Sequence, residues 1–242
     1  MRASLILRDF DGVVDILAWK GVTLLPAKKT FDMAVAAADL VCDKPNASVC
    51  EIGTGTGVFP VTISKLLSPR KDVSIVATDI SGGALEAASI NAAINNVPND
   101  IRWIQTNGLS GVSAGFPGFD VIFSNPPFTR SGQAQQINKS GFHPDSALDG
   151  GSNGAQYYKQ FVDEAVPLLN QDGLLIFQLP LEKDAIGTVV SAVRPKYERL
   201  PHHLIYDAGQ RYTNSNPLFL TIGGNGHTLN KLNTHKYVSV AI

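Results

Sequence analysis

The chain is poor in several things that would restrict its class. Its 242 residues include two cysteines, Cys42 and Cys50, in neither a metal-ligand nor a redox spacing. A disulfide framework and a cysteine-built zinc site are thereby excluded, and two reduced, structural thiols suit a cytoplasmic setting. There is no basic excess: 20 Lys and Arg against 21 Asp and Glu leave a formal charge of −1. Proteins that grip phosphate backbone usually carry one. Lys20, Lys28 and Lys29 are the nearest thing to a basic patch and read as solvated loop charges. No apolar run reaches membrane-spanning length. The stretch Leu5–Leu7 is too short for a signal peptide, with Arg8, Asp9 and Asp11 close behind it. The expectation is a chain that engages neither membrane nor metal.

What is present is ordinary globular material, 44% hydrophobic and 17% charged, in a length that supports one full-sized core. "SLILRDF" and "VVDILAW" flank Asp11-Gly12, a favoured two-residue hairpin turn. "GVTLLP" continues as a third extended piece ending at Pro26. From Lys29 on, helical and extended patterns alternate: helix "KTFDMAVAAADLV", strand "SVCEIG", helix "VFPVTISKLL", strand "VSIVATDI", helix "GALEAASINAAINN", strands "IRWIQT" and "FDVIFSN", helix "AQYYKQFVDEAVPLLN", strand "LLIFQLP", helix "DAIGTVVSAV", then strands "HLIYDA" and "LFLTIG". Such alternation predicts a Rossmann-like, doubly wound, mostly parallel α/β sheet with helices on both faces. The reading is one domain over 1–242: a hairpin and extended segment at 1–26, a catalytic core at 27–223 and a polar tail at 224–242. The Gly-, Ser- and Gln-rich loop 129–153 is long enough to suggest function, and a lid over the substrate is the expectation.

Three turns following strands carry the chemistry. "EIGTGTG" sets Gly53, Gly55 and Gly57 between a strand and a helix, where glycine allows a tight turn and close approach of a ligand. Asp79 ends the next strand, at the distance along the chain where an acidic residue reaches ribose hydroxyls in nucleotide-type sites. A nicotinamide fingerprint would need its third glycine one residue later. Gly-x-Gly-x-Gly after an acidic residue, Glu51, resembles the class I S-adenosylmethionine-dependent methyltransferases. That resemblance implies S-adenosylmethionine as cofactor, with Glu51, Gly53, Thr54, Gly55, Gly57, Asp79, Ile80, Asn107, Gly108 and Asn125 as cofactor-binding positions. Glu51 would face the cationic methionine end, and Asn107, where the family often has an acidic residue, would accept from adenine through its carbonyl oxygen.

The third turn, "NPPF", joins Asn125 to Pro126, Pro127 and Phe128. It resembles the Asn-Pro-Pro-aromatic motif of methyltransferases acting on planar nitrogen: glutamine side-chain amides and exocyclic amines of bases. An amide nitrogen is a poor nucleophile because its lone pair is delocalised. Asn125 Oδ1 and the Pro126 carbonyl can each accept one N–H bond, the prolines fix these acceptors in place, and Phe128 would stack on the flat acceptor group. Asn125, Pro126 and Phe128 are the expected catalytic positions, and Asn125 through Phe128 the substrate-binding ones.

Beyond the motif, "HPDSALDGGSNGAQYYKQFVDEAVPLLNQDGLLIF", "TLLPAKKTFDM" and "YDAGQRY", with Asp207, Gly209 and Arg211, resemble the release-factor glutamine methyltransferases. The implied acceptor is a protein glutamine. An RNA or DNA base, or a small molecule, remains open at this stage, as does the oligomeric state. Gln178 stands where that group tends to have an acidic residue. Two other readings exist. "LILRDFDGVVD" resembles the opening of haloacid-dehalogenase-type phosphatases, with Asp9 as nucleophile, Asp11 as acid and magnesium. Yet the late acidic pair is missing, since the chain has no Gly-Asp and no Asp-Asp dipeptide. A non-catalytic binding subunit of the same fold would not need the intact Asn125–Phe128 motif. His202 and His203 are neighbours on a strand start, so they point to opposite faces and do not form a shared metal site.

Overall fold

The computed structural model describes residues 5–68, 70–97, 101–112, 116–133, 136, 138–180, 183–197, 199–207, 217–234 and 237–242. The elements in chain order are β1 (Leu5–Phe10), β2 (Val14–Trp19), α1 (Lys28–Val41), β3 (Ser48–Ile52), α2 (Val58–Leu66), β4 (Ser74–Asp79), α3 (Gly82–Ile94), β5 (Ile101–Gln105), β6 (Phe119–Ser124), α4 (Gln156–Ala165), β7 (Leu169–Gln178), α5 (Lys183–Val193), β8 (His202–Asp207), β9 (Phe219–Gly223), α6 (Gly226–Thr234) and β10 (Tyr237–Ala241).

The main sheet runs β10-β8-β9-β7-β6-β3-β4-β5. Its β5-to-β7 half is parallel, and β9, β8 and β10 are added antiparallel. The chain winds from β3 outward to β5, then returns to the other side of β3 as β6. Strand order therefore reverses between β3 and β6, and in open α/β sheets a ligand crevice opens at the carboxyl ends of the strands at such a point.

Period-two alternation fills both faces. In β7, Leu174 and Ile176 join one apolar layer, with α1, α2, α6 and the hairpin. Leu175 and Phe177 join the other, with α4 and α5. β3 and β6 are buried along their whole length because helices cover both sides. β1 and β2 form a separate two-stranded sheet. Asp11 and Gly12 both take the positive φ expected of them, 55° and 71°, but Val13 joins the turn, since Phe10 pairs with Val14.

The structure corrects several expectations. Residues 21–26, expected as a third extended piece, form no strand but an irregular segment. The stretch 224–242, read as a polar tail, folds into α6 and β10. The latter pairs with β8 and buries Tyr237, while Leu229 and Leu232 enter the core. A four-residue polar spacing hid those few apolar anchors. β7 begins at Leu169, inside the stretch read as the preceding helix; the ladder with β6 shifts register between Phe119 and Val121. Asp9 and Asp11, the phosphatase pair, are exposed hairpin residues. Asp9 accepts the Gly12 N–H and Asp11 pairs with Lys28. Gly209 and Arg211 of "YDAGQRY" lie outside the described residues. His202 and His203 sit opposite Ile222 and Thr221 on β9. Among the described residues no group of three or more His, Cys, Asp or Glu could hold a metal ion, and no helix is long and apolar enough to cross a membrane.

Candidate active site

A cavity of about 340 Å³ opens at the carboxyl ends of β3, β4 and β6, at the reversal of strand order. Its floor is the glycine turn, Gly53 to Thr56. Asp79, Ile80 and Ser81 after β4 form one wall with Thr106, Asn107 and Gly108 after β5. Asn125, Pro126 and Pro127 form another. The roof comes from the irregular segment 21–27, from Pro144, Ser146 and Ala147 of the long loop, and from Tyr157 and Phe161 of α4. Among the described lining residues, Glu51 and Asp79 carry the only charges.

The glycine turn needs its glycines for backbone reasons. Gly53, Gly55 and Gly57 have φ of 73°, 54° and 76°, a region that costs other residues strain. Gly57 is outside the lining. It starts α2, and a Cβ there would lie 2.8 Å from Ala88 Cβ on α3, so it serves helix approach. The Gly53 and Thr54 N–H groups both donate to the Thr78 carbonyl, at 2.8 and 2.9 Å.

The two carboxylates hold this turn. Glu51 is 3% exposed and accepts from Thr54 Oγ1 at 2.5 Å. Burial pushes its carboxyl well above the usual range and the nearby Asp79 adds to that, against the Thr54 hydrogen bond. Asp79 Oδ2 accepts the Gly55 N–H at 2.9 Å, and Oδ1 accepts the Ser81 N–H at 2.9 Å. Its pKa is also raised by burial, opposed by these backbone donors. Asp79, which lines the cavity, therefore pins the glycine turn to the end of β4. A cation entering between the two carboxylates would return each toward its charged form.

Asn107 and Gly108 line the cavity, and Asn107 Oδ1 accepts from Gln160 Nε2 at 3.3 Å. Gln160 in turn donates to Glu164 Oε1 at 2.9 Å. A carboxylate thus does stand behind this wall, delivered from α4; the i, i+4 spacing of Gln160 and Glu164 was the available signal.

Asn125 differs from every other polar group in the cavity. Its Oδ1 is buried and has no hydrogen-bond partner among the described residues. Buried acceptors are nearly always paired, so an orphan in a cavity marks a place for a donor. The turn bearing it is braced from outside. Thr129 N–H donates to the Leu148 carbonyl at 2.9 Å, and Gly150 N–H to the Thr129 carbonyl at 2.6 Å. A Cβ on Gly150 would lie 2.6 Å from the Pro127 carbonyl, and one on Gly154 2.4 Å from the Phe128 carbonyl. The loop expected to be a lid divides in two: 144–147 roofs the cavity, and 148–154 is a backbone splint for the Asn-Pro-Pro turn. The Gly21 N–H donates to the Phe142 carbonyl at 2.6 Å, closing the roof against the N-terminal segment.

Phe128 is not among the lining residues. It is half-buried and packs against the second apolar layer. The stacking position expected for this ring is therefore not part of the cavity lining, which Tyr157 and Phe161 supply instead. Sequence reasoning placed only the long loop over the cavity and missed the other bordering parts, segment 21–27, α1 and α4. Thr30, for example, borders the cavity and donates to Gln178 Oε1 at 3.1 Å, tying α1 to the end of β7; "TLLPAKKTFDM" was its signal.

The architecture and the position of this cavity define a class I methyltransferase fold. A model of the family described as "Methyltransferase small domain" matches residues 27–143. Among similar structures is a putative class I S-adenosylmethionine-dependent methyltransferase from Listeria monocytogenes, with TM-score 0.57 and 14% identity over 85% of this chain and 62% of that one.

More particularly, curated relatives are named release factor glutamine methyltransferase. The one from Rhodopirellula baltica is 29% identical over 76% of this chain and 62% of its own length. The one from Agrobacterium fabrum is 33% identical over 62% of this chain and 48% of its own. The chain thus spans about half to three-fifths of the length of these relatives.

Proposed function

We propose that this chain is an S-adenosylmethionine-dependent N-methyltransferase whose acceptor is the side-chain amide of a protein glutamine. In this reading residues 27–223 form the catalytic core behind the hairpin segment 1–26, and 224–242 complete the sheet edge. The observation that carries the proposal is the unpaired Oδ1 of Asn125 in the same cavity as the glycine turn. The relatives' names supply the choice of glutamine.

The residues present fit the cofactor. Glu51 and Asp79 offer negative charge for a cationic ligand, Asp79 has lone pairs for ribose hydroxyls, and Ile80, 64% exposed, offers an apolar face for a base. The wall at Asn107 and Gly108 completes that end. When bound, the cofactor supplies an electrophilic methyl group on a sulfonium.

This chain's own part is to hold the acceptor. Asn125 Oδ1 accepts one N–H of the amide and the Pro126 carbonyl accepts the other. With both hydrogens tethered, the nitrogen's open face is aimed at the methyl donor. As the N–C bond forms, positive charge grows on nitrogen and both hydrogen bonds strengthen. They therefore stabilise the transition state more than the ground state. The proton is lost to solvent afterwards, so no strong base is needed in the transfer.

The lining contains no cationic side chain among its described residues. A neutral amide suits such a chamber better than a nucleotide bearing phosphate. The two reduced cysteines go with a cytoplasmic protein substrate. The test is transfer of labelled methyl from S-adenosylmethionine to separated protein and RNA fractions of a cell extract. Label should enter protein, survive ribonuclease and be lost on digestion to amino acids only as methylated glutamine. Label confined to RNA would replace the substrate, and no transfer to any fraction would end the proposal.

A further inference from the structure

We propose that Asn91 is a positioning residue of the cofactor site, and that through it the N-terminal hairpin becomes part of that site. This rests on the cofactor reading above and goes beyond it. On α3, the residues Ala84, Ala88, Asn91 and Asn95 recur at helical spacing and form one stripe. Ala84 borders the cavity. Ala88 is the residue against which Gly57 must remain a glycine. Asn91 and Asn95 reach the hairpin.

Both amides act as a strand neighbour for β2. Asn91 Oδ1 accepts the Leu17 N–H at 2.9 Å, and its Nδ2 donates to the Leu17 carbonyl at 2.9 Å. Asn95 does the same to Asp15, at 2.8 and 2.7 Å. Asp15 and Leu17 are alternate residues, so their backbone groups face the same edge of β2. The two asparagines differ in their second donor. That of Asn95 goes to the Asn91 carbonyl in its own helix, at 2.8 Å. That of Asn91 goes to the carbonyl of Thr56, at 2.8 Å, inside the glycine turn. Asn91 is 0% exposed and its amide hydrogens and oxygen are all engaged. One side chain therefore fixes both the hairpin edge and the turn that would cradle the cofactor.

Asn95 supplies the matched control, since it docks the same hairpin without touching the turn. Calorimetric titration of the full chain with S-adenosylhomocysteine is compared for the wild type, Asn91→Ala and Asn95→Ala. Loss of the Thr56 bond leaves a buried carbonyl unpaired, so Asn91→Ala should weaken binding about tenfold or more. Asn95→Ala should weaken it less than about twofold, because Asn91 still holds both Leu17 of the hairpin and the Thr56 carbonyl. Equal losses in both variants, or none in either, overturn the proposal.

A second readout uses the unmutated chain and decides the matter if Asn91→Ala does not fold. Saturation with S-adenosylhomocysteine should slow amide exchange at Leu17 more than at Asp15; equal protection, or none, overturns the coupling. A wild type that binds no S-adenosylhomocysteine would sink the cofactor reading and this inference together. A wild type that binds, with Asn91→Ala matching Asn95→Ala, sinks this inference alone.

Discussion

The turn after β3 and the turn after β6 leave the sheet from paired residues, Ile52 and Ser124, yet they are built in opposite ways. The first is made of glycines in left-handed conformations, and its polar groups are closed among themselves: Thr54 on Glu51, Gly55 on Asp79. The second is stiffened by two prolines and a backbone splint, and leaves its one amide oxygen unpaired. On the proposed function, the difference separates binding from turnover. A closed, acidic, close-fitting turn suits a ligand that stays similar through a reaction. An open acceptor on a rigid frame suits a group whose charge changes during it.

That division is broken most directly at Asn125. Asn125→Ala should lower turnover about 10²-fold or more, the usual cost of one hydrogen bond aimed at developing charge, while affinity for S-adenosylhomocysteine stays within about twofold. Unchanged turnover would show that the open oxygen does no chemistry. Next comes the splint. Gly150→Val places side-chain atoms against the Pro127 carbonyl and Phe128 Cα and should displace the motif. A fall in turnover approaching 10²-fold, of the order that a 1 Å misplacement causes, is expected with cofactor affinity kept. Equal loss of both would mean that the two turns are not separable.

Asp79→Ala attacks the other turn. It removes the acceptor for Gly55 and Ser81 and should weaken S-adenosylhomocysteine roughly tenfold or more, read by calorimetry. A loss of turnover at saturating cofactor, with affinity intact, would reverse the assignment of roles.

Glu51 gives the pH dependence. Its folded pKa is raised above the ordinary 4.5, so its contribution to stability is fully present below that value and is lost as pH rises through the folded pKa. Glu51→Gln should therefore melt higher than the wild type near neutrality, with the gap closing toward acid. A cationic ligand favours the charged form, so its affinity should climb with pH in the wild type and more shallowly in Glu51→Gln. Thermal melts and titrations across pH check both, and parallel pH profiles in the two proteins would refute the role. The smallest effect is expected at Phe128. Because the ring packs into the second apolar layer, Phe128→Leu should cost less than about threefold in turnover at 25 °C. A larger loss without destabilisation would restore the stacking role.

Much of this site could be read along the chain because its parts obey local rules. Glycines at positive φ, a carboxylate closing the neighbouring strand and prolines after Asn125 are short-range features, and alternation of strand and helix put them on one sheet edge. The misses have a common cause. Segment 21–27 contains "TLL", which looks extended by propensity, yet it roofs a cavity without a strand partner. Residues 224–242 look like solvated tail, yet Leu229, Leu232 and Tyr237 anchor them to the core. In both, long-range packing overrides a weak local pattern.

The sequence by itself determined the doubly wound sheet, the hairpin turn at Asp11-Gly12 and the order of turns along its edge, since backbone geometry and hydrophobic period act over a few residues. Only the tertiary structure decided that Asn125 keeps an unpaired oxygen, that Phe128 packs against the second apolar layer, and that Asn91 joins hairpin to glycine turn. Hydrogen-bond satisfaction of a buried amide is a property of everything packed around it, and the partners of Asn91 lie 74 and 35 positions away.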